Sequence, residues 1–359
     1  MRATLQFLPW LLTACLMAVL MATPVESQAK SRGLPKSVVF KKKPGIKSTR
    51  PRAKLQAMPL KLSFGQLSGL HAGGDELDLK SSVALVLDQD TNEVLFSKNS
   101  QAVLPIASIT KLMTALVVTE ALQPLDEILT ISAEDIDTEK GSHSRLQVGT
   151  PLSREQMLHL ALMSSENRAA NALGRHHPGG LPAFVAAMNR KAAALGMKDT
   201  HYVEPTGLSS RNQSSAVDLA LLVREAGKHP LIRQHSTSIE QQVAVGSRQL
   251  QFRNTNGLVR SGEWEIGLQK TGYISEAGRC LVMQAQLSGR KLIMVLLDSA
   301  GKYSRMGDAE RIRKWLGDMP AVGLRALPAV LPSVSAPTLP SVAPFVAPAA
   351  VSAAVPKLS

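Results

Sequence analysis

The chain has 359 residues, of which 44% are hydrophobic and 19% charged, and this composition excludes a wholly disordered protein and a polytopic membrane protein. Its two cysteines exclude both a scaffold held by several disulfides and a metal site built on several thiolates. The net charge of +13 would suit nucleic-acid binding, but eleven basic residues and no acidic one lie between residues 30 and 61, and the chain from residue 62 onward carries only +2.

Residues 1–29 have the pattern of a secretory signal peptide. Arg2 precedes an apolar run from Leu5 to Ala22, and Ser27-Gln-Ala29 offers small residues for cleavage after Ala29. Cleavage after Ala22 and retention of the run as a membrane anchor are the alternatives. We therefore expect a protein that is periplasmic or otherwise secreted to the cell envelope, and a role in nucleic-acid binding conflicts with that expectation.

Two low-complexity segments flank the predicted core. Residues 30–69 form a basic, proline-containing linker, and residues 319–359 form a tail rich in Pro, Ala and Val that we expect to be disordered. The basic part, residues 30–61, is either a solvated spacer or a segment that contacts an anionic wall polymer or membrane surface. Residues 70–318 remain as a single folded domain.

The core begins and ends with predicted strands and is helical between them. Residues 82–87 and 93–96 form a predicted hairpin, and the late strands are predicted at 267–273, 279–287 and 291–297. Helices are predicted over 108–122, 153–163, 181–195, 216–226 and 308–316, the second of them opened by the capping box Ser153-Arg-Glu-Gln156. This order predicts an α+β fold whose sheet is assembled from sequence-distant strands.

Three short motifs carry the chemistry: Ser108-Ile-Thr-Lys111, Ser165-Glu-Asn167 and Lys270-Thr-Gly272. Ser-x-x-Lys occurs four times, but only the copy at Ser108 begins a long apolar helix, where the three-residue spacing places serine and lysine on one face. A lysine among apolar neighbours has its charged form disfavoured and can accept the serine proton. We expect the second motif at the end of a helix and the third at the end of a strand, where glycine lets a substrate backbone approach closely.

Together these motifs resemble those of the penicillin-recognising serine peptidases. The chain is most similar to the low-molecular-mass penicillin-binding proteins, the D-alanyl-D-alanine peptidases, over about residues 75–318. The resemblance also rests on runs that begin at Leu104, Ser144, Glu204 and Lys270, and the run Met163-Ser-Ser-Glu-Asn-Arg168 looks most like the endopeptidase type. It implies a fold like that of β-lactamases and transpeptidases, with an antiparallel sheet flanked by helices and an inserted all-helical subdomain.

The resemblance also implies a role for each motif residue in cutting a wall stem peptide. Ser108 attacks a D-alanine carbonyl to form an acyl-enzyme, Lys111 takes its proton, and Ser165 with Lys270 returns a proton to the leaving amine. Asn167, Lys270, Thr271, Gly272 and Tyr273 bind the substrate, the N–H groups of Ser108 and Tyr273 forming the oxyanion hole. β-lactams would be covalent inhibitors, and neither a metal nor a cofactor is needed.

The sequence leaves several alternatives open. The activity on peptidoglycan is either that of a D,D-endopeptidase, which we predict, or that of a carboxypeptidase, and a catalytically silent wall-binding protein is the alternative of another class.

Glu166 departs from the aspartate or glycine of many relatives and argues against a class A β-lactamase. Arg305 is predicted to be either an exposed arginine or a further contact for a substrate carboxylate. His176 and His177 suggest no third metal ligand, and Cys280 is predicted to be buried.

Overall fold

The computed structural model describes residues 61–318. The predicted signal peptide, residues 30–60 of the linker and the tail from residue 319 lie outside this range. Within it, no helix is both long and apolar enough to cross a membrane. Residues 61–69, which the predicted linker includes, contain a short helix capped by Ser63. Ser63 also donates a hydrogen bond from Oγ to Asp298, 2.9 Å away, so that these residues contact the rest of the domain.

The helices and strands of residues 61–318 are listed here in chain order. The helices are α1 (Phe64–Leu67), α2 (Thr110–Glu120), α3 (Arg154–Met163), α4 (Asn167–Arg175), α5 (Gly180–Ala194), α6 (Ala216–Ala226), α7 (Pro230–Thr237), α8 (Gly257–Ser261) and α9 (Ser304–Asp318). The strands are β1 (Ser81–Asp88), β2 (Val94–Lys98), β3 (Leu104–Pro105), β4 (Ile128–Thr130), β5 (Pro151–Ser153), β6 (Gln213–Ser214), β7 (Glu240–Val245), β8 (Arg248–Arg253), β9 (Glu265–Ile274), β10 (Gly278–Leu287) and β11 (Arg290–Ser299).

Five strands form one antiparallel sheet in the order β2-β1-β11-β10-β9. The N-terminal hairpin therefore pairs with strands about two hundred residues later, as the α+β prediction requires. Helices α2 to α8 lie between these two groups in the chain, and we name the segment from β3 to α7 the helical subdomain. That subdomain is not entirely helical, because β3 pairs with β6 and β4 with β5 inside it.

Both faces of the sheet are buried, which explains why β1 is an almost continuous apolar run. Val83, Leu85 and Leu87 join the large core shared with the helical subdomain. Ala84 and Val86, on the opposite face, pack in a second core that includes side chains of α9. The sheet is therefore a rigid layer between two cores, and β9, at its edge next to the helical subdomain, is held in place by this packing.

Helix α2 is the central helix of the helical subdomain. All its residues from Thr110 to Val118 are buried, so that it has no solvent-facing stripe, as is typical of a helix in the middle of a core. The predicted helix 108–122 is shorter in the structure, since residues Ala107–Ile109 form a 3-10 turn before α2 begins. Ser108 therefore lies on this turn and Lys111 on the first turn of the buried helix.

Candidate active site

The turn that carries Ser108 has a strained backbone that two glycines accommodate. Ala107 has a φ of +47°, which is uncommon for a residue with a side chain. Gly207 packs directly on this turn, because a Cβ atom there would lie 1.9 Å from the carbonyl oxygen of Ala107. A Cβ atom on Gly272 would lie 3.1 Å from the amide nitrogen of Ser108. These contacts fix the position of Ser108 against β9.

Lys111 is the hydrogen-bonding centre of the site. Its Nζ atom donates to Ser108 Oγ at 3.0 Å, to Asn167 Oδ1 at 2.7 Å and to the carbonyl oxygen of Thr206 at 2.6 Å. The first and second sequence motifs thus meet at one ammonium group. The carbonyl of Thr206 was not predicted, although the run Glu204-Pro-Thr-Gly-Leu208 was part of the resemblance.

Burial changes the acid–base behaviour of Lys111. The side chain is fully buried, and desolvation lowers its pKa from 10.5 to about 7, although the charges of Glu204 and Glu166 act in the opposite direction. Glu204 uses its carboxylate to accept hydrogen bonds from the backbone of its own loop and forms no ion pair with the lysine. A substantial fraction of Lys111 is therefore neutral at neutral pH and can accept a proton from Ser108.

Ser165 lies beside the second lysine of the site. Its φ is +62°, in the link between α3, which ends at Met163, and α4, which begins at Asn167. Lys270 Nζ donates to Ser165 Oγ at 2.9 Å and to the carbonyl oxygen of Thr271 at 2.9 Å. Burial, together with the charges of Lys111 and Arg305, holds the pKa of Lys270 well below its usual range. The second and third sequence motifs are therefore in direct contact.

Asn167 connects the site to the loop that precedes β5. Its Nδ2 atom donates to Ser142 Oγ at 3.0 Å, and Ser144 Oγ in the same loop donates to Glu166 Oε2 at 2.6 Å. Burial raises the pKa of the Glu166 carboxyl. A cavity of about 180 Å³ opens beside Asn167 and Thr206. Sequence reasoning missed Ser142, since a contact between a loop serine and a helix N-terminus depends on the folded chain.

The third motif lies inside a strand, and the prediction that it ends one is wrong. Strand β9 continues to Ile274, and Gly272 lies where its missing Cβ would meet the carbonyl oxygen of Ile106 at 2.9 Å. Glycine is thus required by the chain's own turn. Thr271 Oγ1 is 2.6 Å from Thr255 Oγ1, a second partner that the sequence did not suggest, and the Tyr273 side chain is exposed.

Arg305 is buried, so its interpretation as an exposed arginine is wrong. Its Nη1 atom donates to the carbonyl oxygen of Gly272 at 2.7 Å and to that of Cys280 at 3.3 Å. Burial lowers the pKa of this guanidinium to about 10. Arg305 supports β9 and adds positive charge behind Lys270. The prediction that Cys280 is buried is confirmed.

One group of side chains within residues 61–318 has ligand types that could hold a metal ion, and it lies away from Ser108. It consists of Glu120, Glu225 and His229. Lys191 Nζ lies 2.6 Å from Glu120 and 3.1 Å from Glu225, and these hydrogen bonds raise the pKa of the ammonium despite its partial burial. The lysine already supplies the positive charge that these carboxylates need.

Comparison with known proteins identifies the family to which this chain belongs. A family model described as D-alanyl-D-alanine carboxypeptidase matches residues 71–301. A D-alanyl-D-alanine endopeptidase of Pseudomonas aeruginosa is 52% identical over 241 residues, which are 67% of this chain and 78% of that protein. One of Escherichia coli is 46% identical over the same shares of the two chains. The chain therefore belongs to the D-alanyl-D-alanine carboxypeptidase family of serine peptidases.

Solved structures confirm the predicted fold class. The crystal structure of a Streptomyces DD-transpeptidase has a TM-score of 0.63 and 26% identity, with 67% of this chain and 98% of that chain covered. The structure of a D-alanyl-D-alanine carboxypeptidase from Mycobacterium tuberculosis has a TM-score of 0.62 and 26% identity, with 70% and 96% covered. The antiparallel sheet with flanking helices is thus the fold of the penicillin-recognising peptidases.

Proposed function

We propose that this chain is a D,D-endopeptidase that hydrolyses D-alanyl cross-links of peptidoglycan through an acyl-enzyme on Ser108. The observation that carries the proposal is the 3.0 Å contact between Ser108 Oγ and the buried Lys111 Nζ, whose pKa is about 7. Neutral Lys111 takes the proton of Ser108 as Oγ attacks the carbonyl carbon of D-alanine. The hydroxyl thereby becomes a nucleophile at neutral pH.

A second pair of groups serves the protonation of the leaving amine. Ser165 Oγ lies 2.9 Å from Lys270 Nζ, and the charge of Lys111 is near enough to lower the pKa of Lys270. We assign to Ser165 the transfer of a proton to the amine nitrogen as the scissile C–N bond breaks. Lys270 supports this step by its hydrogen bond to Ser165 Oγ. Water then attacks the acyl carbon and releases the peptide from Ser108.

The edge of β9 offers the site at which the substrate lies. The substrate backbone runs along Thr271, Gly272 and Tyr273, and the backbone N–H groups of Ser108 and Tyr273 stabilise the oxyanion. Thr271 Oγ1 and Lys270 contact the carboxylate next to the scissile bond, on the leaving-group side. We assign to Asn167 a hydrogen bond to the acyl side of the substrate.

The choice of endopeptidase over carboxypeptidase rests on the relatives. The two relatives at 52% and 46% identity are both named endopeptidases. Carboxypeptidase remains the second candidate, because the matching family model is described by that activity and both reactions cleave an amide whose leaving amine bears a neighbouring carboxylate. A silent wall-binding protein is disfavoured by the complete set of polar contacts among Ser108, Lys111, Ser165 and Lys270.

We further propose that the enzyme works in the bacterial cell envelope during wall remodelling. The apolar leader of residues 1–29 supports export to the periplasm, and the basic residues 30–61 support contact with an anionic wall polymer or membrane surface. β-lactams resemble the substrate in presenting a reactive amide near a carboxylate, and they should acylate the same serine.

Labelling with a fluorescent penicillin tests the active-serine assignment. The wild-type protein should become covalently labelled, with the added mass on the peptide that contains Ser108, and Ser108→Ala should not be labelled. Ser288→Ala is the matched control, since Ser288 begins another Ser-x-x-Lys copy in an exposed turn between β10 and β11 and should leave labelling unchanged. Labelling that persists in Ser108→Ala would refute the assignment.

A further inference from the structure

The direction of β9 shows which part of a substrate lies next to Tyr273, provided that the proposed function holds. Thr271 faces the carboxylate on the leaving-group side, and the N–H of Tyr273 faces the oxyanion. The acyl portion of the stem peptide must therefore continue past Tyr273, toward the turn between β9 and β10 at residues 275–277. Side chains at this end of the strand can contact the residue that precedes the acyl D-alanine.

An aromatic ring and a guanidinium lie together at this place. The side chain of Tyr273 is 56% exposed. Arg279, its directly opposed partner on β10, places its guanidinium carbon 4.4 Å from the centre of the tyrosine ring. Opposed residues of an antiparallel pair project from the same face of a sheet, so the two side chains form one continuous surface.

Among the residues that the structure describes, Arg279 has no anionic partner, which distinguishes it from comparable arginines. Every other buried or half-buried arginine of residues 61–318 has an oxygen acceptor or lies within ion-pair distance of a carboxylate. No hydrogen bond of the described residues involves the Tyr273 hydroxyl either. A half-buried guanidinium held over an aromatic ring keeps its planar fork of N–H donors free for a carboxylate.

We propose that Tyr273 and Arg279 form a subsite for the side chain of the third stem-peptide residue, one that carries a carboxylate at the end of an aliphatic chain, as in diaminopimelate. The methylene groups lie against the ring of Tyr273, and the distal carboxylate accepts hydrogen bonds from Arg279. A lysine at the same position would bring an ammonium group toward the guanidinium and would be disfavoured. The subsite selects the acyl donor and takes no part in bond cleavage.

Two thioesters test this subsite independently of the leaving group. Both end in D-alanyl-thioglycolate, and they differ only in having diaminopimelate or lysine before the D-alanine. Arg279→Gln should lower kcat/KM for the diaminopimelate ester about tenfold, as expected for the loss of a charge-assisted hydrogen bond, and should change the lysine ester less than about twofold. An equal change for both esters, or none for either, would overturn the subsite.

A matched variant and a modified substrate complete the experiment. Arg313→Gln removes an arginine that lies 5.1 Å from the ring centre of Trp264, at the opposite end of β9 from Tyr273, and should leave the ratio of the two esters unchanged. Amidation of the distal carboxylate should lower kcat/KM of wild-type enzyme for the diaminopimelate ester about tenfold. Equal kcat/KM values for the amidated and unmodified esters would contradict the proposal. If wild-type enzyme forms no acyl-enzyme with either ester, the proposed function fails, which differs from failure of the subsite.

Discussion

Two lysines of the site, Lys111 and Lys270, are completely buried, and neither forms a salt bridge with a carboxylate of residues 61–318. A buried ion pair would have held each ammonium in its charged form. Instead their hydrogen bonds go to hydroxyl, amide and carbonyl oxygens, which neutralise no charge. Desolvation therefore dominates and lowers the pKa of both lysines, that of Lys111 to about 7, so that Lys111 can accept and release a proton near neutral pH.

The rate of acylation by penicillin should depend on pH through Lys111. Below pH 7 this lysine is mostly protonated and cannot accept the Ser108 proton, and above pH 7 it is mostly neutral, so the rate should rise with an inflection near 7. Stopped-flow measurement between pH 5 and 9 checks this, with circular dichroism at each pH to show that the protein stays folded. A rate that is flat or falls from pH 6 to 8 would contradict the role of Lys111.

At the scale of elements, α9 ties together two strands of the sheet. Asp308, on this helix, is fully buried and accepts from the backbone N–H of Ser81 at 2.8 Å, from Ser81 Oγ at 2.6 Å and from the N–H of Lys80 at 3.0 Å. It also accepts from Ser299 Oγ at 3.2 Å. One carboxylate thus holds the start of β1 and the end of β11 against the helix that carries Arg305.

Asp308→Ala should destabilise the protein by about 3 kcal/mol, because it leaves buried N–H and hydroxyl donors without an acceptor. Urea unfolding of the full chain measures the change in the free energy of unfolding. Asp78→Ala is the control, since Asp78 is exposed and pairs with Lys80 at the surface, and its loss should change stability little. If the two variants were equally stable, the bracing by Asp308 would be refuted.

The elements that could be predicted from sequence are those with local signals. The capping box at Ser153 forms as predicted, the helix predicted at 216–226 has those bounds, and the hairpin β1–β2 and strands β10 and β11 lie within a few residues of their predicted ranges. The hairpin of β7 and β8 was missed, because its strands are mostly polar and exposed and each has only a short apolar alternation, Val243 with Val245 and Leu250 with Phe252.

The three motifs of the site could be recognised in the sequence, but their partners could not. The carbonyl of Thr206, the hydroxyl of Ser142 and the hydroxyl of Thr255 meet the motifs across 95, 25 and 16 positions of chain respectively. Backbone carbonyls carry no residue-specific signal, and serine and threonine are common in loops. Only the packing of α2, α4 and β9 brings these oxygens to the site.

At the scale of the whole molecule, the basic segment reaches the folded body at Lys61. Its Nζ atom is 2.5 Å from Glu276 Oε1, which also lies 2.7 Å from Nζ of Lys140 in the loop that carries Ser142. Burial would raise the pKa of Glu276, but hydrogen bonds from these two lysines outweigh it and hold the pKa at about 2. The end of the basic segment is thus joined to the turn after β9.

Deletion of residues 30–60 should separate wall binding from catalysis. Intact protein should sediment with isolated cell walls at low salt and be released at high salt, since screening weakens attraction between a polycation and an anionic polymer. The deletion variant, which keeps Lys61, should stay in solution and still be labelled by penicillin. Unchanged sedimentation of the variant would show that the segment is only a spacer.

Digestion of purified muropeptides tests the central claim most directly. Wild-type enzyme and the Ser108→Ala variant are incubated with cross-linked dimers and, separately, with uncross-linked pentapeptide monomers, and the products are resolved by chromatography and mass spectrometry. Wild-type enzyme should convert dimers to monomers, and Ser108→Ala should leave them intact. Release of D-alanine from pentapeptides while dimers stay intact would contradict the endopeptidase assignment and establish a carboxypeptidase.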